Sequence, residues 1–291
     1  GELQPTFRAT DAGGQRPWAQ VTLGRAEVVA GLTADDLRAF HEQQLGASRT
    51  VVAVFGDVDP RQVRDAVAGL FAAMPREALA PFDPPREHQP AAPLRVAPSN
   101  KSRAAVEIGF GPGPSVDSRD IAAVDVLMRV MSSFPSGWLQ QALRGEGPGL
   151  AYVAHAFNVS GVVPGYIGVL FNTDPASLHE AVSRAMIVVD RARESVIDAD
   201  TLAKAKAAVL TREFMSKQTN GDRAAEAALN ELYGRGLDYP DVYRREIEQL
   251  TPELLQLIAQ TYLRNPVAVI LAHGEVDVAA VAKALEAQYQ P

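Results

Sequence analysis

The sequence predicts an α+β fold, a two-layer sandwich of an antiparallel sheet and covering helices, built from a unit present once whole and once as a remnant. Three observations predict it. A helix–strand–helix segment occurs twice in the chain. Apolar runs that end at glycine read as buried strands. A block of three long helical patterns follows the strands, as expected where helices gather on one face of a sheet.

The repeat is the strongest signal, because self-similarity at a fixed spacing defines the structural unit. The segment from Leu32, LTADDLRAFHEQQLGASRTVVAVFGDVDPRQVRDAVAGL, aligns without gaps on that from Leu250, LTPELLQLIAQTYLRNPVAVILAHGEVDVAAVAKALEAQ, an offset of 218 residues. Leu32, Thr33, Leu37 and Leu45 match Leu250, Thr251, Leu255 and Leu263. Val51, Gly56, Val58, Asp59, Val63 and Ala66 match Val269, Gly274, Val276, Asp277, Val281 and Ala284. Thr33 and Thr251 sit at N-cap positions, and Thr33 with Asp36 has capping-box spacing. Pro252 suits the first helical turn. TVVAVFG and VAVILAHG read as buried strands. Asp59 caps a second helix, with Pro60 in its first turn, in which Val63, Ala66, Val67, Leu70, Phe71 and Met74 form an apolar face.

Between the copies, the stretch from Pro75 to Asn100 is dense in proline and reads as a linker, since proline blocks helix and ladder hydrogen bonds. The expected layout is 1–80 as the C-terminal remnant of a first unit, 81–100 as a Pro-rich linker and 101–291 as a complete second unit. Within that unit, KSRAAVEIGFGP is a strand. DSRDIAAVDVLMRVMSS is a helix with Ile121, Val124, Leu127 and Met128 on one face, and SGWLQQALR is a short helix. GLAYVAHAFNVS and GYIGVLFN are strands. PASLHEAVSRAMIVVDRARES, DADTLAKAKAAVLTREFMSK and NGDRAAEAALNELYGRG are the three long helices. The remnant implies roughly 140 residues of a first unit upstream. The N-terminal GELQPTFRAT has the look of a cut inside a longer protein rather than of a signal peptide.

Composition excludes several functions. The chain has 291 residues, 47% of them hydrophobic, and no cysteine, which removes thiol catalysis and thiolate metal sites together. A formal net charge of -7 argues against nucleic acid as a partner. No apolar run reaches the length of a membrane span. The expectation is a soluble protein of the bacterial cytoplasm or periplasm; the alanine and arginine content points to a GC-rich bacterium.

A helical zinc site needs paired histidines, as in H-x-x-E-H. His41, His88, His155, His179 and His273 supply no such pair: the position that would complete a motif with His179-Glu180 is Ser183. Gly109, Gly111 and Gly113 in GFGPGP resemble a phosphate loop, but Pro112 and Pro114 remove amide donors, so a strand-exit turn is expected. Asp35-Asp36 and the Asp198/Asp200 pair sit at helix starts, where carboxylates cap amides. No G-x-S-x-G elbow is present. What remains is LQQALRGEGPGLAYVA, in which a short helix runs through a glycine-rich turn into a strand and brings Arg144 toward Tyr152. A guanidinium beside a phenol can donate to a peptide carbonyl or a developing oxyanion. The alternative is an arginine capping helix carbonyls next to a half-buried strand tyrosine.

VEIGFGP, SGWLQQALRGEGPGLAY, DTLAKAKAAVL and the terminal LTPELLQLIAQTYL…VILAHGEVD, in that order, resemble the second half of the pitrilysin/insulinase (inverzincin) zinc metallopeptidases, a superfamily that includes mitochondrial-processing-peptidase-like proteins. Residues 18 to 80 resemble the end of that family's first half. The resemblance implies two similar α+β halves that close as a clamshell around a peptide. The first half carries H-x-x-E-H, and the second supplies an arginine and a tyrosine that carry over to Arg144 and Tyr152. RGEGPGLAY is one residue longer than the family turn, the extra residue being Gly147 or Pro148. The helix equivalent to the zinc helix, IAAVDVLMRVMSS, has no histidine. Zinc is therefore expected in the missing upstream half or on a homologous partner subunit, and none on this chain. The implied function is the substrate-binding part of a zinc metalloendopeptidase, inactive in isolation. The alternative is a non-catalytic scaffold or partner subunit of the same family.

Overall fold

The computed structural model describes residues 24–76, 93–145 and 149–286. Among the described residues there are two compact units. One comprises 93–145, 149–210 and 243–286; the other comprises 24–76 and 211–242.

The first unit is built on a five-stranded sheet. β1 (Leu94–Pro98), β2 (Ala104–Phe110), β3 (Ala151–Val159), β4 (Tyr166–Thr173) and β5 (Val267–Ala272) stand in the order β1-β5-β2-β4-β3. β2 is antiparallel to β4 and β5, and β3 is antiparallel to β4. β1 runs parallel to β5, Leu94 facing Ala268. The sheet is thus mixed rather than purely antiparallel, and residues 94–98 belong to it rather than to the linker expected through residue 100. Proline is tolerated because β1 is an edge strand: Pro98 ends it, and Pro93 takes part through its carbonyl, which accepts from the Ala268 amide at 2.8 Å.

Helices cover one face. α4 (Ile121–Ser132) is almost entirely interior, with Val124, Val126, Leu127 and Met131 fully buried. α5 (Trp138–Arg144) and α10 (Pro252–Tyr262) pack against it, and α6 (Leu178–Glu194) touches α5, α10 and α11 (Val278–Glu286). Val106, Ile108 and Phe110 of β2 and Val169 and Phe171 of β4 point into this core. On the opposite face Tyr166, Val267, Val269 and Leu271 form a smaller cluster, and the Tyr166 hydroxyl donates to the buried Glu107 carboxylate at 3.0 Å. Between α4 and its neighbours, the Tyr243 hydroxyl donates to Asp125 at 2.6 Å and the Tyr262 hydroxyl to Asp120 at 2.7 Å. Burial and that bond to Asp120 push the Tyr262 hydroxyl up to about 12.

α7 (Ala199–Met215) begins in this unit, and α9 (Tyr239–Gln249) ends in it. The sequence left α9 unassigned. Its run YPDVYRREIEQ is polar on most positions, yet Tyr239, Val242, Tyr243 and Ile247 recur at helical spacing and are partly or fully buried, a signal the sequence did carry. Its last turn is capped from outside the helix: the Lys206 ammonium donates to the carbonyls of Glu248 and Leu250 at 2.9 and 2.7 Å.

The second unit holds α1 (Ala26–Gly31), α2 (Ala34–Gln44), α3 (Pro60–Leu70) and α8 (Asn220–Leu232). Lys217 bridges the end of α7 and α8 by pairing with Glu213 and, at 2.7 Å, with Glu226. None of the residues of α1, α2 and α3 is buried, and Leu37 and Phe40 are more than half exposed.

The two copies of the repeat have matching element boundaries. α2 and α10 are offset by 218 residues at both ends, as are the starts of α3 and α11. The caps match as well. The Thr33 hydroxyl accepts from the Asp36 amide and the Thr251 hydroxyl from the Leu254 amide, both at 3.2 Å. The Asp59 carboxylate accepts from the Gln62 amide and the Asp277 carboxylate from the Ala280 amide. Leu45 donates to His41 as Leu263 does to Ala259. Gly56 and Gly274 both have positive φ, +157° and +81°. The copies differ at the strand. Residues 267–272 lie between two neighbours and are buried throughout. TVVAVFG, expected as a strand, has no ladder partner among the described residues, and Val52, Val54 and Phe55 are exposed.

Candidate functional site

Two rigid supports converge beside the N-terminal end of β3. The first is α5. Trp138, Leu139 and Leu143 anchor it in the core, and Arg191 lies over the Trp138 ring at 4.0 Å. Its buried Gln140 donates to the Ala154 carbonyl of β3 at 2.6 Å, which ties helix to strand. Arg144 is thereby held at the helix end with an exposed side chain.

The second support is a bulge in β3. Ala151 faces Thr173 and Ala154 faces Phe171, so Tyr152 and Val153 together oppose Asn172. A bulge leaves amides without ladder partners. Here the Asn172 side-chain oxygen accepts both, from Tyr152 at 3.3 Å and from Val153 at 3.1 Å. The bulge interrupts alternation: Ala151 and Ala154 are buried while Tyr152, 70% exposed, and Val153 both face outward.

The guanidinium carbon of Arg144 lies 5.5 Å from the centre of the Tyr152 ring and 5.3 Å from that of Phe134, within cation–π range. Among the described residues neither the Arg144 guanidinium nor the Tyr152 hydroxyl has a hydrogen-bonding partner. The α5 carbonyl of Ala142 accepts from Arg184, at 3.3 Å, and Tyr152 is not half-buried. Phe134 was not singled out in the sequence; an isolated phenylalanine before a proline carries no motif.

The other expected positions are accounted for locally. Asp36 caps with Thr33, whose hydroxyl holds its carboxyl below the usual range, and Asp35 pairs with Arg38. Asp198 accepts from the Thr201 amide at 2.8 Å, which lowers its carboxyl likewise, and Asp200 pairs with Lys204. In GFGPGP the Gly113 amide donates to the Gly165 carbonyl at 2.9 Å, and a side chain there would meet the Tyr166 backbone at 3.1 Å. This is a strand-exit turn. His41, His179 and His273 are exposed, and His155 stacks on Phe157 with ring centres 6.1 Å apart. His88, Gly147 and Pro148 lie outside the described residues.

Among the described residues no three His, Asp or Glu side chains are grouped to hold a metal. α4 does not fit zinc either: its inward side chains are hydrocarbon or thioether, and its one carboxylate, Asp125, accepts from Tyr243. No described helix is long and apolar enough to cross a membrane.

The fold and the site together define an α+β unit in which a helix-covered sheet presents Arg144, at the end of α5, beside Tyr152 of β3. The profile of the peptidase M16 inactive domain matches residues 31–209, more than half of the chain. The chain belongs to that family. It is 25% identical over 261 residues to an uncharacterized zinc protease of Streptomyces coelicolor, a match that covers 87% of this chain and 56% of the relative. The crystal structure of a peptidase M16 inactive domain from Pseudomonas fluorescens superposes with a TM-score of 0.83 at 21% identity, over 94% of this chain and 65% of that one. A protease from Helicobacter pylori gives 0.75 at 19%, over 93% and 66%. The chain thus spans less than two thirds of the proteins it matches.

Proposed function

We propose that this chain is the substrate-binding, metal-free C-terminal portion of a zinc metalloendopeptidase, in which Arg144 and Tyr152 meet the peptide. One observation carries this reading. An anchored helix end and a side-chain-stabilised bulge present a guanidinium and a phenol side by side, exposed, with donors that no described residue accepts. Such donors bind a peptide carbonyl and stabilise the oxyanion that forms from it. Zinc and the water it activates belong to a separate H-x-x-E-H-bearing half, upstream or on a partner subunit. In this reading residues 1–80 end a first unit, and the exposed Leu37 and Phe40 support it, because their counterparts Leu255 and Ile258 are buried.

The test is turnover of an unstructured peptide by the intact protein. Tyr152→Phe and Arg144→Ala each lower kcat on the order of a hundredfold, with zinc content unchanged. Unchanged kinetics in both variants return the pair to a structural role. A protein with neither zinc nor turnover is instead a non-catalytic scaffold of the family.

A further inference from the structure

We infer that Phe134 is a positioning residue for Arg144, its ring acting with that of Tyr152 to hold the guanidinium so that its N–H groups stay directed at a bound peptide; this rests on the peptide-binding reading of Arg144 and Tyr152.

Phe134 is 73% exposed and takes no part in the buried core. It stands on the turn between α4 and α5, and that turn is tightly held. The Ser132 hydroxyl donates to Met128 in its own helix at 2.9 Å and to Ala156 of β3 at 3.2 Å. At Gly137 the Ser133 carbonyl accepts the amide, and any side chain would come within 2.5 Å of the Ser133 nitrogen. On the other side, a side chain at Gly149 would stand 3.3 Å from the Arg144 Cα, so the chain after the helix also packs closely on it.

Arginine has a long, flexible side chain, and ordering it costs rotamer entropy when substrate arrives. A single ring fixes a guanidinium from one side only. With Tyr152 at 5.5 Å and Phe134 at 5.3 Å, the cation has a ring on two rigid supports. Cation–π attraction leaves hydrogen-bond donors unused. Phe134 thus orders Arg144 before binding without competing for its N–H groups.

The test uses the 291-residue chain with labelled arginine, the Arg144 Nε–Hε signal being assigned by its loss in Arg144→Lys. The probe is an unstructured peptide with blocked ends. In Phe134→Leu the heteronuclear NOE of Arg144 Nε falls and peptide affinity drops about two- to fivefold. In Phe134→Trp both return. Because the side chain is exposed, thermal unfolding stays where it is in the unsubstituted chain. An unchanged NOE in Phe134→Leu overturns the inference, whatever the peptide does. So does undiminished affinity in Phe134→Leu when Arg144→Ala binds more weakly. A lowered NOE with affinity insensitive even to Arg144→Ala supports the contact and overturns the peptide-binding reading instead.

Discussion

The side-chain oxygen of Asn172 accepts the Tyr152 amide at 3.3 Å, and the Val153 amide beside it at 3.1 Å, closing the bulge that turns Tyr152 outward. A carboxamide on β4 therefore sets the position of a phenol on β3. Asn172→Ala is expected to cost about 1–2 kcal/mol, because two strand amides lose their acceptor. Hydrogen exchange checks it: protection at Tyr152 and Val153 falls while that at Ala156 is kept. Equal loss along all of β3 contradicts the assignment.

Alkaline stability depends on Tyr262. Its hydroxyl is raised from 10.0 to about 12 by burial and by donation to Asp120. The folded state holds the proton more tightly than the unfolded one, so the contribution is fully present below pH 10 and is lost as pH rises toward 12. Denaturant unfolding across that range shows stability falling with pH, and Tyr262→Phe removes that component of the slope. An identical slope in the variant removes Tyr262 as its source.

The two repeat caps separate local from global stability. Thr251 caps α10, which buries Leu255, Ile258 and Ala259 in the core. Thr33 caps α2, which buries nothing. Thr251→Ala is expected to lower global stability by about 1 kcal/mol. Thr33→Ala changes amide exchange within α2 and leaves the midpoint of global unfolding in place. Equal shifts of that midpoint contradict the difference.

The helices of the sheet-bearing unit were legible because burial writes periodicity into sequence. Ile121, Val124, Leu127 and Met128 recur at helical spacing and are all buried. Caps were legible because Thr33 and Asp59 act within three residues of themselves. Pairing was less so. β1 lies in a proline-dense stretch, and its parallel partner is far along the chain, so neither composition nor local spacing marks it. TVVAVFG has a strand's composition, but a ladder needs neighbours, which local sequence does not supply. That Arg144 and Tyr152 stand near each other was legible because they are close in sequence, at the end of one expected element and the start of the next. Phe134 and Asn172 were not, since one acts through a face-on contact and the other across a bulge that no motif announces.

The central claim is that this chain binds peptide through its own side chains without a metal. An unstructured peptide titrated into the labelled chain in the presence of a zinc chelator tests it most directly. The account predicts saturable shifts centred on Arg144 Nε and on the amides of Tyr152 and Val153, lost in Arg144→Ala. Shifts centred elsewhere, or binding that requires added zinc, would contradict it.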